Sequence, residues 1–193
     1  RHGAQNDLRG LARMQRLFFA LEMPEPVRQA LLCIKAPVDG ARWQSDGQLH
    51  LTLLFLGNVQ KETVPGIGLA LRDLSLPPFD LHVRGLGCFG QPETPRNLWA
   101  AVTPEAPLIA LHATLKERLN SLGFSFEKRP FRPHITLARF KKQRGSVQSL
   151  LAEHGEDEFG AVTVRDFVLL QSTQGVRGSD YTVVERFPLT ESP

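Results

Sequence analysis

Two segments of this chain carry the same four-residue pattern. QLHLTLLFLG (48–57) contains His50-Leu51-Thr52-Leu53, and FRPHITLARF (131–140) contains His134-Ile135-Thr136-Leu137. In each, polar and apolar residues alternate, which is the period of a half-buried β-strand. Residues i and i+2 of a strand share a face. His50 therefore projects with Thr52 and His134 with Thr136, while Leu51, Leu53, Ile135 and Leu137 point the other way. A chain with two such strands needs apolar cover for both, and it presents an imidazole and a hydroxyl twice on the opposite side.

The flanking sequence repeats as well. RLFFALEMP (16–24) is a strand-like run ending at Pro24, PVRQALLCI (26–34) has helical periodicity, and a loop containing Trp43 leads to the His50 strand. NLWAAVTP (97–104) is again a strand-like run ending at Pro104. PLIALHATLKERLNSLG (107–123) spaces its apolar residues by three and four, a helix closed by Gly123, and a loop leads to the His134 strand. Both halves thus read strand, helix, loop, histidine strand, the mark of an internal repeat. Residues 61–74 read as a further helix, and 78–91 as a strand or strand pair interrupted by Gly85, Gly87 and Gly90. Residues 159–171 and 180–189 read as strands joined through the hairpin-type STQGVRGS, and EHGEDE (153–158) as a solvated loop. The expected class is α+β, one domain over 14–193 made of two similar lobes. Residues 1–13 are polar and aperiodic, and are expected to be an extension outside the fold.

The composition, 41% hydrophobic and 22% charged over 193 residues, is that of a globular protein. No apolar run approaches the ~20 residues of a membrane-spanning helix. With no signal peptide at its start, the chain is expected in the cytoplasm. Cys33 and Cys88 lack metal-site spacing and read as free thiols of a reducing compartment. Net charge is only +3, but its distribution is uneven: EKRPFRP (127–133) precedes the second histidine and RFKKQR (139–144) follows it. Basic segments beside a candidate catalytic histidine point to an anionic substrate.

Two imidazoles facing each other form an acid–base pair, because a group titrating near ~6.5 serves in either protonation state. The threonine hydroxyls would hold oxygens of a tetrahedral anion between them, most simply a phosphate. This chemistry requires no metal and no cofactor. Zinc is the competing use of two histidines, but it needs three or four protein ligands. Neither motif carries Cys, Asp or Glu on its histidine face. His82, His112 and His154 are further imidazoles, with His112 on the amphipathic helix and His154 in the acidic loop.

RLFFALEMP, LHLTLLFLG, NLWAAV, RPFRPHITLARF and the terminal SDYTVVERFPL together resemble the two-histidine (2H) phosphoesterases. Within that superfamily the resemblance is to the RNA 2′,3′-cyclic phosphodiesterases, formerly called 2′-5′ RNA ligases. It implies a bilobal fold of two pseudo-symmetric lobes, mainly antiparallel sheet with flanking helices, around a central cleft. It implies an RNA substrate ending in a 2′,3′-cyclic phosphate, opened to a 2′-phosphomonoester, with no membrane and no obligate protein partner. Carried over by position, His50 is the proton donor, His134 the proton acceptor, and Thr52, Thr136 and Arg139 bind the substrate. Strict alternation places Arg139 on the face opposite His134, so a bulge or strand end must redirect it. Arg129 and Arg132 are reserve anion contacts, and Tyr181 and Trp43 are candidates to stack on a base. The alternatives are 2′-5′ ligation of RNA ends by the same site, and an RNA- or nucleotide-binding module without turnover.

Overall fold

The computed structural model describes residues 13–191. Apart from Arg13, the expected 1–13 extension lies outside the described residues. The elements in chain order are β1 (Met14–Glu22), α1 (Glu25–Leu32), β2 (Arg42–Trp43), β3 (His50–Gln60), α2 (Val64–Leu71), β4 (Phe79–Gln91) and β5 (Thr94–Thr103). There follow α3 (Ala106–Asn120), β6 (Ile135–Arg139), α4 (Gln148–His154), β7 (Glu158–Val164), β8 (Asp166–Gly175) and β9 (Gly178–Pro188).

The strands form a single nine-stranded sheet in the order β7-β4-β5-β6-β3-β1-β8-β9, with β2 paired to β6. Every pairing is antiparallel. Read outward from its middle, the order runs β6, β5, β4, β7 on one side and β3, β1, β8, β9 on the other. Each histidine strand is flanked by the strand that opens its own half, β1 for His50 and β5 for His134. The expected repeat is therefore a spatial one.

Each half sends one amphipathic helix across the same face of the sheet. In α1, Pro26 sits in the first turn, where a missing N–H costs nothing, and Val27 and Leu31 are buried one turn apart. In α3, Pro107 plays the same part and Leu108, Leu111, Leu115 and Leu119 form the buried stripe. After α3 the chain reverses at Gly123, whose φ of 91° suits a residue without Cβ. The stripes meet the inward residues of the strands, Leu17, Phe19, Leu21, Leu51, Leu53, Leu98, Ala100, Ile135 and Leu137 among them, in one core spanning both halves. A fully buried side chain such as Phe19 or Phe167 contributes roughly 1.5–3 kcal/mol. The opposite sheet face carries only a small cluster, Phe18, Ala20, Val168 and Leu170 with Tyr181 against it. That face is free to hold a site.

Two expectations need correction. Residues 159–171 are not one strand: β7 ends at Val164 and β8 begins at Asp166, and the two lie in opposite halves of the sheet. The residue between them, Arg165, is the crossing point, and its carbonyl accepts the Leu189 N–H at 2.8 Å. The acidic loop is also shorter than expected, because α4 runs into it as far as His154. Residues 78–91 are one long strand bent where its pairing with β5 slips, at Gly85 and Gly90, both with positive φ. No helix among the described residues is long and apolar enough to cross a membrane.

Candidate active site

The two halves meet where β3 pairs with β6, and the pair in register is Leu51 with Ile135. Each is the residue between the histidine and the threonine of its motif. One step either side of an antiparallel pair, partners exchange ends. His50 thus stands across from Thr136, and Thr52 across from His134. Leu51 and Ile135 are fully buried toward the core, while the two histidines and two threonines, all half-buried, share the opposite face. The site is a crossed pair of imidazole–hydroxyl couples about a local two-fold.

Immediately after each threonine the alternation breaks. Against β1, Thr52 pairs with Ala20 and Leu54 with Phe19, so Leu53 is an extra residue. Against β5, Thr136 pairs with Trp99 and Ala138 with Leu98, so Leu137 is an extra residue. These matched β-bulges place two buried residues in succession, Leu53-Leu54 and Leu137-Ala138, and reverse the phase of the residues that follow, to the end of β6 and, in β3, as far as a second register shift between Phe55 and Gly57. Arg139 consequently pairs with Asn97 on the face of His134 and Thr136, which meets the condition that alternation alone could not. The residue at the same place in the first half is Phe55, paired with Phe18 and 57% exposed.

The imidazoles have different surroundings. His134 Nδ1 lies 2.7 Å from the carbonyl of Arg132 and donates to it in the tautomer that leaves Nε2 with its lone pair. Its ring meets Phe89 edge-on at 5.1 Å and Trp99 at 6.0 Å. Trp99 lies over Gly87, its cross-strand partner; a Cβ there would come within 2.3 Å of the indole ring. The indole Nε1 is buried and unpaired. Burial pushes the His134 imidazole below its ordinary value; the Arg132 carbonyl opposes this and the Arg139 charge adds to it.

His50 meets Tyr181 edge-on at 5.5 Å, and Tyr181 in turn packs on Phe18. Burial lowers its pKa too, opposed by the Gln48 carbonyl and the Glu22 carboxylate and assisted by Arg28. Gln48 precedes His50 as Arg132 precedes His134, but its carbonyl does not complete a hydrogen bond, and His50 Nδ1 is buried and unpaired. The Gln48 side chain holds the approach to β3: its Oε1 accepts the Ser45 N–H at 3.0 Å and its Nε2 donates to the Ser179 carbonyl at 2.9 Å.

A cleft of about 930 Å³ opens on this face, lined by Thr52, Phe55, His134, Thr136 and Arg139 together with Arg96, Arg129, Arg132 and Lys141. Among the described residues, Glu127 is the one carboxylate in its wall. His50 is outside that wall, but the register sets it beside Thr136, which lines it. Arg129 and Arg132 are thus at the site, and Tyr181 reaches it through His50. Trp43 does not: it pairs with Ala138 on β2 and packs toward the core beside Pro37 and Val38. Among the described residues no three His, Cys, Asp or Glu side chains gather as a metal site would require. Sequence reasoning missed Phe89, Trp99, Gly87, Arg96 and Asn97, which reach the site only because β5 lies next to β6 and β4 next to β5.

Residues 26–175 match the profile of the 2′-5′ RNA ligase superfamily. The chain is 33% identical over 169 residues to an RNA 2′,3′-cyclic phosphodiesterase of Archaeoglobus fulgidus, an alignment covering 86% of this chain and 96% of the relative. It is 37% identical over 186 residues to an RNA 2′,3′-cyclic phosphodiesterase of Thermus thermophilus, covering 90% of each. Among solved structures, Escherichia coli LigT complexed with 3′-AMP superimposes with a TM-score of 0.78 at 28% identity, over 92% of this chain and 99% of that one.

Proposed function

Because this chain belongs to the 2′-5′ RNA ligase superfamily, we propose that it is an RNA 2′,3′-cyclic phosphodiesterase that opens cyclic ends to 2′-phosphomonoesters by two-histidine acid–base catalysis. The observation that carries the mechanism is the crossed register at Leu51 and Ile135, which gives each histidine the other motif's threonine as its neighbour. A phosphate centred on that seam has an imidazole on either side and hydroxyl donors between.

His134 Nε2 takes a proton from water as the oxygen attacks phosphorus. The P–O3′ bond breaks, its electron pair leaves on O3′, and His50 Nε2–H delivers the proton that makes the 3′-hydroxyl. The phosphate stays on O2′, and the two histidines end with exchanged protonation. Thr52 and Thr136 donate hydrogen bonds to the non-bridging oxygens, and Arg139 offsets the charge that builds on them. Both proton transfers fall to imidazoles, so the step asks for no metal. Burial lowers both imidazoles, and the neighbouring charges support this assignment of acid and base: the Glu22 carboxylate, against Arg28, favours protonated His50, and the Arg139 guanidinium favours neutral His134. Free Cys33 and Cys88 suit the cytoplasm as the compartment.

The test is a short RNA ending in a 2′,3′-cyclic phosphate, incubated with EDTA-treated protein and with its His50→Ala and His134→Ala variants. Mass spectrometry and phosphatase treatment locate the product phosphate. The expected result is a 2′-phosphate formed without metal, with each variant slower by ~10²–10⁴. Ring opening only with added metal, or full activity in either variant, would sink the mechanism. RNA that binds without opening would make the protein a binding module.

A further inference from the structure

Helix α3 buries its leucines, yet two of its polar residues line the catalytic cleft. His112 and Lys116, four residues apart and so neighbours on the helix surface, both belong to the wall that holds His134 and Arg139. The His112 imidazole lies flat on Phe131, with ring centroids 4.3 Å apart and planes 8° from parallel. Arg132 follows Phe131 in the same wall, and Arg129 stands just before it.

These groups are positive or able to become so, and little in the protein answers them. Burial, then the Lys116 charge, holds the His112 imidazole below its ordinary value. Glu127 is taken by Arg129 at 2.8 Å, and Lys116 Nζ reaches only the Glu127 main-chain carbonyl, at 3.5 Å. Among the described residues neither Lys116 nor Arg132 has a carboxylate partner. Cations gathered around a cleft without counter-charges repel one another until an anion enters.

We propose that His112, Lys116 and Arg132, on the rim formed by α3 and the Phe131 loop, bind a phosphodiester of the RNA upstream of the cyclic end, so that the substrate is an oligonucleotide. This rests on the function proposed above, which sets the cyclic end between the histidines. The departing O3′ faces His50, and from its ribose the strand can run over either half. On the His50 side two arginines are occupied, Arg28 by Asp46 and Arg186 by Glu22 and Asp166. On the α3 side Lys116 and Arg132 have no such carboxylates, so the strand turns that way. The cleft volume of about 930 Å³ lies near the top of the ~300–1,000 Å³ range of small-ligand sites and leaves room beyond one nucleotide. Arg132 links the two regions, its carbonyl holding His134 while the residue lines the same cleft wall as His112 and Lys116.

The experiment compares a 2′,3′-cyclic mononucleotide with a pentanucleotide ending in the same group, across a salt series, in the protein and in Lys116→Glu, Lys116→Arg and His112→Ala. Binding of the 2′-phosphate-ended pentamer is measured separately by fluorescence anisotropy. The pentamer should be preferred by at least about tenfold in kcat/KM, and its salt slope should be steeper by ~0.7 for each phosphate contacted. Lys116→Glu should remove most of the preference and flatten the slope, His112→Ala part of it, and Lys116→Arg should keep it. A preference near unity, or a slope indifferent to Lys116→Glu, overturns the rim site while leaving ring opening intact. Salt-dependent pentamer binding that Lys116→Glu abolishes, in a protein that opens neither substrate, upholds the rim and overturns the catalytic reading instead.

Discussion

On one side of the seam an imidazole rests against Tyr181, with the Glu22 carboxylate across the strand and its own Nδ1 buried and unpaired. On the other, the equivalent imidazole is boxed by Phe89 and Trp99, pinned through Nδ1 to the Arg132 carbonyl, and faces the Arg139 guanidinium. The backbones match down to the bulge after each threonine, and the neighbours do not. A two-fold arrangement of histidines has no built-in direction, since either could give the proton. In the proposed mechanism direction comes from the unmatched residues: the Glu22 carboxylate beside one imidazole, working against Arg28, and an arginine beside the other where its counterpart is Phe55.

The largest effect should come from a substrate that needs only one of the two roles. If O3′ is replaced by sulfur, the leaving thiolate requires no proton, so His50→Ala should regain most of its ~10²–10⁴ loss on this analogue while His134→Ala regains little. Equal rescue of both variants in single-turnover rates would erase the difference between the halves. Next is Arg139→Gln. Loss of a charged hydrogen bond worth about 1.5–3 kcal/mol predicts roughly a 10- to 100-fold fall in kcat/KM. With the Arg139 charge gone, the His134 pKa rises and the acidic limb of the pH profile moves to higher pH. An unmoved limb would separate Arg139 from the base.

A smaller effect tests the aromatic box. In Gly87→Ala the new methyl meets the Trp99 ring, which then shifts onto His134. The kcat should fall about tenfold, ~1.4 kcal/mol, with KM little changed. Adding Trp99→Phe, a smaller ring, should recover part of it, and the His134 titration read by NMR should move with both changes. A double variant no better than the single one would show that the box does not orient the base. The smallest effect is expected for Glu22→Gln. Glu22 raises the His50 pKa, so its loss lowers it and draws the alkaline limb, which reports the acid, to lower pH by less than about one unit. A shift of the acidic limb instead would reverse the roles.

The repeat was legible in the chain because two-residue and three-to-four-residue periods alternate in the same order in both halves, and because His-x-Thr marks the same step in each. The crossing of His50 with Thr136 was not, since it depends on a register between strands far apart in sequence. Nor was the separation of β7 from β8: residues 159–171 contain no proline and no break in strand character at Arg165, and only the completed sheet divides them. The seven-residue α4 escaped notice because it is short and its N-cap, Val147, carries no capping group, the Gln148 N–H being taken instead by Ser146 Oγ at 3.2 Å. Arg139 lay between these cases. Alternation argued against it, while the adjacent apolar pairs Leu53-Leu54 and Leu137-Ala138 already carried the sign of the bulges that bring it round.

That bulge acts on side chains as a frameshift acts on codons. Upstream of Leu137 the odd residues are read into the core; downstream of it they are read into the cleft. Deleting Leu137 would leave the composition of the strand almost unaltered and remove the bulge: Ala138 would keep its inward place beside Leu98 and Arg139 its place on the cleft face, now four positions after His134 in an evenly paired strand. A sequence pattern written for this site must therefore place its third partner five positions after the histidine rather than four, and a chain with a basic residue at the fourth position belongs to a differently paired strand.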